Sequence, residues 1–538
     1  MALQTALRKV PPHRWVLLAI LLGAAVELGF WVFGPFDATA AFGYPRVRAH
    51  LGEWGPLFVA LGAGLGWVIG VPRRGGRLLL AAAALGVHLT LLDMAQAQPD
   101  TARWFVLAQE VSHDPIQTTL GWPHRFLAAS GVARNQLYPL VPYIYGLAFG
   151  LFGESPAVAD GVMTIFAVAL PLSVAWAVRG AVDLPAPEAR RIGLAAGWLS
   201  LGVPFLQAQS AWMLADIPLC VFVAVGWGGI LRARGPRGWL FAFVLCVPAL
   251  LTKVAAPLFL APAVAGAILR SPAAVLGAGA LGYGALYAAR PFRFVELDAY
   301  LGSLVGLALH LRAALAFPAL GASLVRPLAR TRLGGLVLGN ILVIPALLLY
   351  TPAHHVPRYA MPLALALVIG AAAVLGRRVS GALLGSGILL FALGYRPVMV
   401  YTQAANLQLA ARLAVEDGAT GIEVWTDQPG STFPAGPITA LVDFYVDVPV
   451  RFGGTIRISE RDKQAQWWDR WKVPPWQETG PTDMALLGLY GAERDRFESE
   501  HPEWTHVRTI SLYRASSWLL PREVAIYKRV DDSPENRP

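Results

Sequence analysis

At 538 residues, with 56% hydrophobic and 14% charged side chains, the chain is too apolar and too sparsely charged for a soluble protein of its length. Its formal charge of +10 does not point to nucleic acid, because the cations are confined to short clusters between apolar runs. The two cysteines, Cys220 and Cys246, both lie in apolar runs, which excludes a disulfide framework and a thiolate metal site and leaves them as small buried hydrophobes.

Crossing about 30 Å of hydrocarbon takes roughly 20 apolar residues of helix, and runs of that kind recur from Trp15 to Arg396. The clusters Arg8/Lys9/Arg14, Arg73/Arg74/Arg77, Arg179/Arg190/Arg191, Arg232/Arg234/Arg237, Arg326/Arg330/Arg332 and Arg377/Arg378 fall at every second connection. The positive-inside rule assigns those connections to the cytoplasm, which predicts about 13 transmembrane helices with the N-terminus in and the C-terminal region out. Two apolar stretches, 137–153 and 300–310, would reverse everything downstream if they spanned. Both are short for a span and are predicted to lie along the outer membrane surface. An alternative for the first run is a signal peptide cut near Ala38-Thr39-Ala40, which leaves the downstream sidedness unchanged.

The long outer loop over about 95–155 is the candidate active site, since loops of this length are uncommon without a function. It opens with AQAQPDTARWFVLAQEVSHDP, which gathers Asp100, Arg103, Glu110, His113 and Asp114 in a chain otherwise poor in charge. Pro99-Asp100 before TARWFVLAQEV is also a good helix N-cap signal, and a capping carboxylate would still stand at the membrane edge. Further along, Asp216 in QSAWMLADIPL sits where a span begins; it either caps that helix or needs a partner, because an unpaired carboxylate in lipid is expensive. Lys253 in LLTKVAAPLF is the only lysine between Lys9 and Lys463. An ammonium among apolar residues must meet an anion or snorkel to water, and the first alternative makes it a functional candidate. AHHVPRYAMP then places His354, His355, Arg358 and Tyr359 at the outer start of a late span, where Arg358 suits a bidentate phosphate contact or an interfacial anchor.

Several features are set aside. GAGALG at 277–282 has dinucleotide-loop spacing but no strand before it, so it reads as helix packing. Gly62 to Gly66 and Gly335 to Gly339, at G-x-x-x-G spacing, read the same way. Glu27 and His88 lie within apolar runs without a partner in view. Beyond Arg396, residues 398–538 are predicted to form a soluble α/β domain, with helices at NLQLAARLAVED and AERDRFESEH and strands at GIEVWTD, DMALLGLY, HVRTISLYR and EVAIYKR. WWDRWKVPPWQ at 467–477 suits the membrane interface better than sugar stacking.

The ordered set PDTARWFVLAQEV, NQLYPLVPYIYGLAFGLFGESPAVADGV, MLADIPLCVFVAVGW, ALLTKVAAP and HHVPRYAMPLALAL resembles the GT-C superfamily of membrane glycosyltransferases. Within it, the set looks most like the branch of protein O-mannosyltransferases and the lipid A aminoarabinose transferase, over residues 75–397. The resemblance implies a GT-C type, α-helical polytopic enzyme of the bacterial inner membrane. Such an enzyme takes a sugar from a polyprenyl-phosphate carrier and transfers it to a lipid, glycan or protein hydroxyl on the outer face, with inversion. It also implies that the catalytic acidic residue of the first large loop is Asp100, which would act as the base; Arg103, Arg134, Tyr138, Asp216, Lys253, His355, Arg358 and Tyr359 are the expected substrate contacts. Thr101 departs from the Glu that often follows in the family, so a divalent cation stays an open alternative. A Lys-Pro-Pro before the surface helix is replaced by Asn135-Gln136-Leu137, leaving Arg134 as the substitute cation. The family's loop usually follows the first span rather than the third, which keeps Asp37 as the alternative base. Two other classes stay open: a transporter of lipid-linked or small solutes, and a non-catalytic envelope scaffold.

Overall fold

The computed structural model describes residues 45–72, 76–91, 99–128, 138–182, 184–210, 213–253, 255–269, 335–337, 339–340, 361–395, 405–426, 442–443, 445–455, 481–489, 494–511 and 523–530. In chain order the helices are α1 (Pro45–Ile69), α2 (Gly76–Leu89), α3 (Pro99–His113), α4 (Pro115–Ala128), α5 (Leu140–Phe152), α6 (Pro156–Ala181), α7 (Ala186–Leu201), α8 (Pro204–Ser210), α9 (Asp216–Arg232), α10 (Gly235–Leu250), α11 (Ala256–Leu269), α12 (Met361–Val374) and α13 (Arg377–Leu389), the last continued by a π-helical turn, Leu390–Tyr395. Then follow α14 (Ala405–Glu416), β1 (Ile422–Thr426), β2 (Val450–Thr455), β3 (Met484–Leu489), α15 (Arg494–Glu500), β4 (Trp504–Ile510) and β5 (Glu523–Arg529).

Among the described residues one helical stretch, Pro156–Arg179, is long and apolar enough to cross a membrane. The shorter apolar helices include Gly76–Leu89, which packs on it, and Gly235–Leu250 and Ala256–Ile268, which pack on α9. Their outward faces are apolar as well: Leu240, Phe241, Phe243 and Val244 all project from α10. Water would not favour such a surface, and lipid would. The stretch expected to lie flat at 137–153 is helical over the 13 residues of α5, about 20 Å of helix, which is short for hydrocarbon about 30 Å thick. Its counterpart at 300–310 lies outside the described residues, as do the first apolar run, Glu27, GAGALG and the tryptophan-rich 467–477.

α6 and α9 run parallel at the centre. Phe166 meets Phe222 edge to face at 5.7 Å, and further along Arg232 lies over the Trp176 ring at 4.1 Å while donating to the Trp176 carbonyl. Arg77 and Arg190 act electrostatically on Arg179, and Arg179 on Arg232, so cations from three of the sequence clusters gather at the C-terminal ends of α6 and α9. Ser155 caps α6 at the opposite end, its hydroxyl accepting from the Val158 N–H at 3.3 Å with Pro156 next in line.

Gly62 and Gly66 of α1 lie against Gly385 and Gly381 of α13, so two G-x-x-x-G faces meet and any Cβ would strike the opposing carbonyl. Arg377 fastens the end of α1 by donating to the Ile69 carbonyl at 2.9 Å and the Val71 carbonyl at 3.0 Å. Gly339, of the second glycine pair, is pressed against Pro262 of α11.

The strands form one five-stranded sheet in the order β2-β1-β3-β5-β4, parallel from β2 to β3 and antiparallel beyond. Alternation along β3 sends Met484 and Leu486 toward α14, and Ala485 and Leu487 toward Phe497 of α15. β2, unmarked in the sequence reading, carries two glycines, which weaken any strand signal. Gly453 is required there because a Cβ would collide with the Trp425 indole.

Candidate functional site

Asp216 opens α9 but does not cap it: the N-cap residue is Ala215, with no side-chain capping bond. The Asp216 carboxylate instead accepts from Lys253 Nζ at 2.5 Å, and both side chains are largely buried, at 4% and 17% exposure. The two residues singled out separately in the sequence are therefore one ion pair. It stands at the Asp216 end of α9, away from the arginine cluster, on the turn between α10 and α11. An ammonium has three donors, so Lys253 can hold Asp216 and still present hydrogens to a second anion.

A shallow apolar groove of about 530 Å³ starts beside that turn and runs along α11, lined by Leu250, Pro257, Leu260, Val264 and Ile268 among others. The Trp227 indole donates to the Phe259 carbonyl at 2.7 Å and so ties α9 to the helix forming most of that wall. The loop that precedes α5 reaches the same turn, since the Leu140 N–H donates to the Leu251 carbonyl at 3.1 Å. Tyr138, two residues earlier, is thereby brought to the neighbourhood of Lys253.

Helix α3 packs on α5, with Phe105 and Phe149 edge to face at 5.8 Å. Gly146 of α5 permits this approach, because a Cβ would meet Val111 and the Ala108 carbonyl. Glu154, just ahead of the α6 cap, holds the far end of α3: it accepts from Ser112 Oγ and lies 3.3 Å from His113 Nε2. The helix begins at Pro99 rather than at Thr101, so Asp100 stands inside the first turn instead of capping it. Proline suits that leading position, and a carboxylate in a first turn complements the helix dipole.

The structure thus joins Asp216 to Lys253, brings the Tyr138 segment to their turn, and places Asp100 and Arg103 by backbone in the first turns of α3. Arg134, His355, Arg358, Tyr359 and the alternative base Asp37 lie outside the described residues. Glu154 and Gln109 were missed by the sequence reading. The available signal was the GES-Pro segment: an acid one residue before a helix cap, in a loop already suspected of function. His88, without a partner in the sequence, is buried with Nδ1 3.4 Å from Ser210 Oγ. Among the described residues no group of three or more His, Cys, Asp and Glu is arranged to hold a metal ion.

No family model and no curated protein matches the chain. Among solved structures it is similar to the crystal structure of ArnT from Cupriavidus metallidurans bound to undecaprenyl phosphate, at a TM-score of 0.48 and 13% identity, covering 85% of this chain and 98% of that one.

Proposed function

We propose that the chain is an integral membrane glycosyltransferase that moves a sugar from a polyprenyl-phosphate carrier to an acceptor hydroxyl on the outer face of the membrane. The observation that supports this reading is that the Lys253 and Asp216 pair stands on the turn from which an apolar groove runs along α11. A lipid phosphate needs those two environments side by side, a cation for its headgroup and a greasy wall for its isoprenoid tail. Arginines at the opposite ends of α6 and α9 support an outward-facing site, because cation-rich ends stay in the cytoplasm.

In this reading Asp100 accepts the proton of the acceptor hydroxyl as its oxygen attacks the anomeric carbon. The bond from that carbon to the phosphate oxygen breaks, and its electron pair leaves with the polyprenyl phosphate. Charge developing on the phosphate is stabilised by the Lys253 ammonium, aided by Arg358. A single displacement of this kind inverts the anomeric centre. Asp216 keeps the Lys253 side chain in place when no phosphate is bound.

Transfer from radiolabelled mannosyl, glucosyl and aminoarabinosyl polyprenyl phosphates to membrane extract, by purified protein in lipid nanodiscs, tests the reading. Wild type should release polyprenyl phosphate and label an acceptor, and Asp100→Asn should lower the rate by roughly 10²–10⁴-fold. Equal transfer by both proteins would remove Asp100 as the base, and failure with every donor would sink the reading.

A further inference from the structure

The helix whose first turn carries Asp100 is also a place where the sheet domain touches the bundle. Gln109 of α3 is 5% exposed, and its side-chain nitrogen donates to Glu154 Oε2 at 3.0 Å and to Asp443 Oδ2 at 3.3 Å. Glu154 belongs to the segment that caps α6; Asp443 lies between β1 and β2, in the sheet domain. A glutamine amide has two N–H donors on one nitrogen, so it can satisfy one carboxylate with each. A glutamate at this position would instead bring a third carboxylate against the other two.

Apolar contacts follow the same path. Val106, one turn back along α3, packs against the core formed by α14 and the sheet. Tyr445, two residues after Asp443, packs against that core and against the core of the bundle. The C-terminal half of α3 is therefore bonded to the bundle through Glu154 and to the sheet domain through Asp443, Val106 and Tyr445. Asp100 stands nine residues from Gln109, about 13 Å along one continuous helix, so a shift or tilt at Gln109 is transmitted to Asp100.

Resting on the reading of Asp100 as the base, we propose that the sheet domain is a working part of the transfer site: Asp443, through the Gln109 amide, fixes where α3 and its first turn stand. Asp443 is a positioning residue and touches no substrate. The same holds in mirror image for Gln109.

Hydrogen exchange and transfer kinetics on full-length protein in nanodiscs test this together, with the three labelled polyprenyl-phosphate sugars as donors. Asp443→Ala should speed exchange across residues 101–113 while leaving β3 and β5 protected, and should lower kcat by roughly tenfold to a hundredfold at an unchanged donor KM. Asp443→Asn keeps an oxygen that accepts from Gln109 and should recover most of both properties. Gln109→Glu, which leaves the sheet domain's own residues intact, should behave like Asp443→Ala. Unchanged exchange in 101–113 for both disruptive variants, or wild-type turnover by both, would overturn the proposal. Should wild type use none of the donors while exchange responds as described, the transferase reading and Asp443's part in transfer fall, and the docking of the domain on α3 stands.

Discussion

Lys253 was legible because one lysine stands in a long arginine-only stretch of apolar sequence, and an ammonium in that setting needs an anion. Its partner was not legible, because Asp216 lies on another helix and only the packing of α9 against the turn after α10 brings them together. Breaking a buried pair from one side strands a charge, so Lys253→Met alone should destabilise the protein by about 3–5 kcal/mol. The double variant Asp216→Asn with Lys253→Met removes both charges and should restore most of the melting temperature without restoring transfer. Recovery of both would assign the pair a purely structural role. Glu498 offers a second test at this scale. The hydrogen bond from Arg494 holds its carboxyl below the usual range. A depressed folded value stabilises above the unfolded value, and that contribution disappears as pH falls through the folded one. Between pH 6 and 3 the melting temperature of Glu498→Gln should therefore fall less steeply than that of wild type; parallel curves would contradict this.

Among elements, the glycine spacing of α1 announced close packing, yet a spacing of four names no partner. The partner is the matching pair in α13, about 320 residues later, and the proximity of the two backbones is what excludes larger side chains. Gly66→Leu or Gly381→Leu should lower stability by at least about 1–3 kcal/mol, read as the midpoint of unfolding in mild detergent, whereas Gly64→Leu, with open space at its Cβ, should change it little. Equal effects at Gly64 and Gly66 would show that helix propensity, not contact, is being measured. α14, β1, β3, α15 and β5 follow from hydrophobic periodicity, whereas β2 does not: its paired glycines hide the strand, and its contact with Trp425 explains one of them. The helical run of α3 was legible too; its beginning at Pro99 was not, since Pro99-Asp100 suits a cap as well as a first turn.

For the whole molecule, the proposed sidedness rests on the arginine clusters, and among the described residues three of them converge at one end of the central helices, which alternation along the chain could only suggest. Impermeant maleimide on intact cells checks it, with the native buried cysteines as background. Asp114→Cys, exposed beyond α3, should label from outside, and Arg237→Cys, exposed in the first turn of α10, only after the cells are opened. The reverse pattern would place the candidate site in the cytoplasm. The bonding of α3 to the sheet domain had no sequence signal, because Gln109 and Asp443 are separated by 334 positions and neither sits in a motif.

The pairing of α1 with α13 also bears on synthesis. At roughly 5–20 residues per second, a ribosome takes about 15–60 s to travel from Gly66 to Gly385. During that interval the glycine face of α1 stays unfilled and the carbonyls at its end lack the Arg377 guanidinium. The nascent protein thus keeps this seam open at α1 until α13 arrives, and a chain stopped anywhere before Arg377 leaves it unfilled.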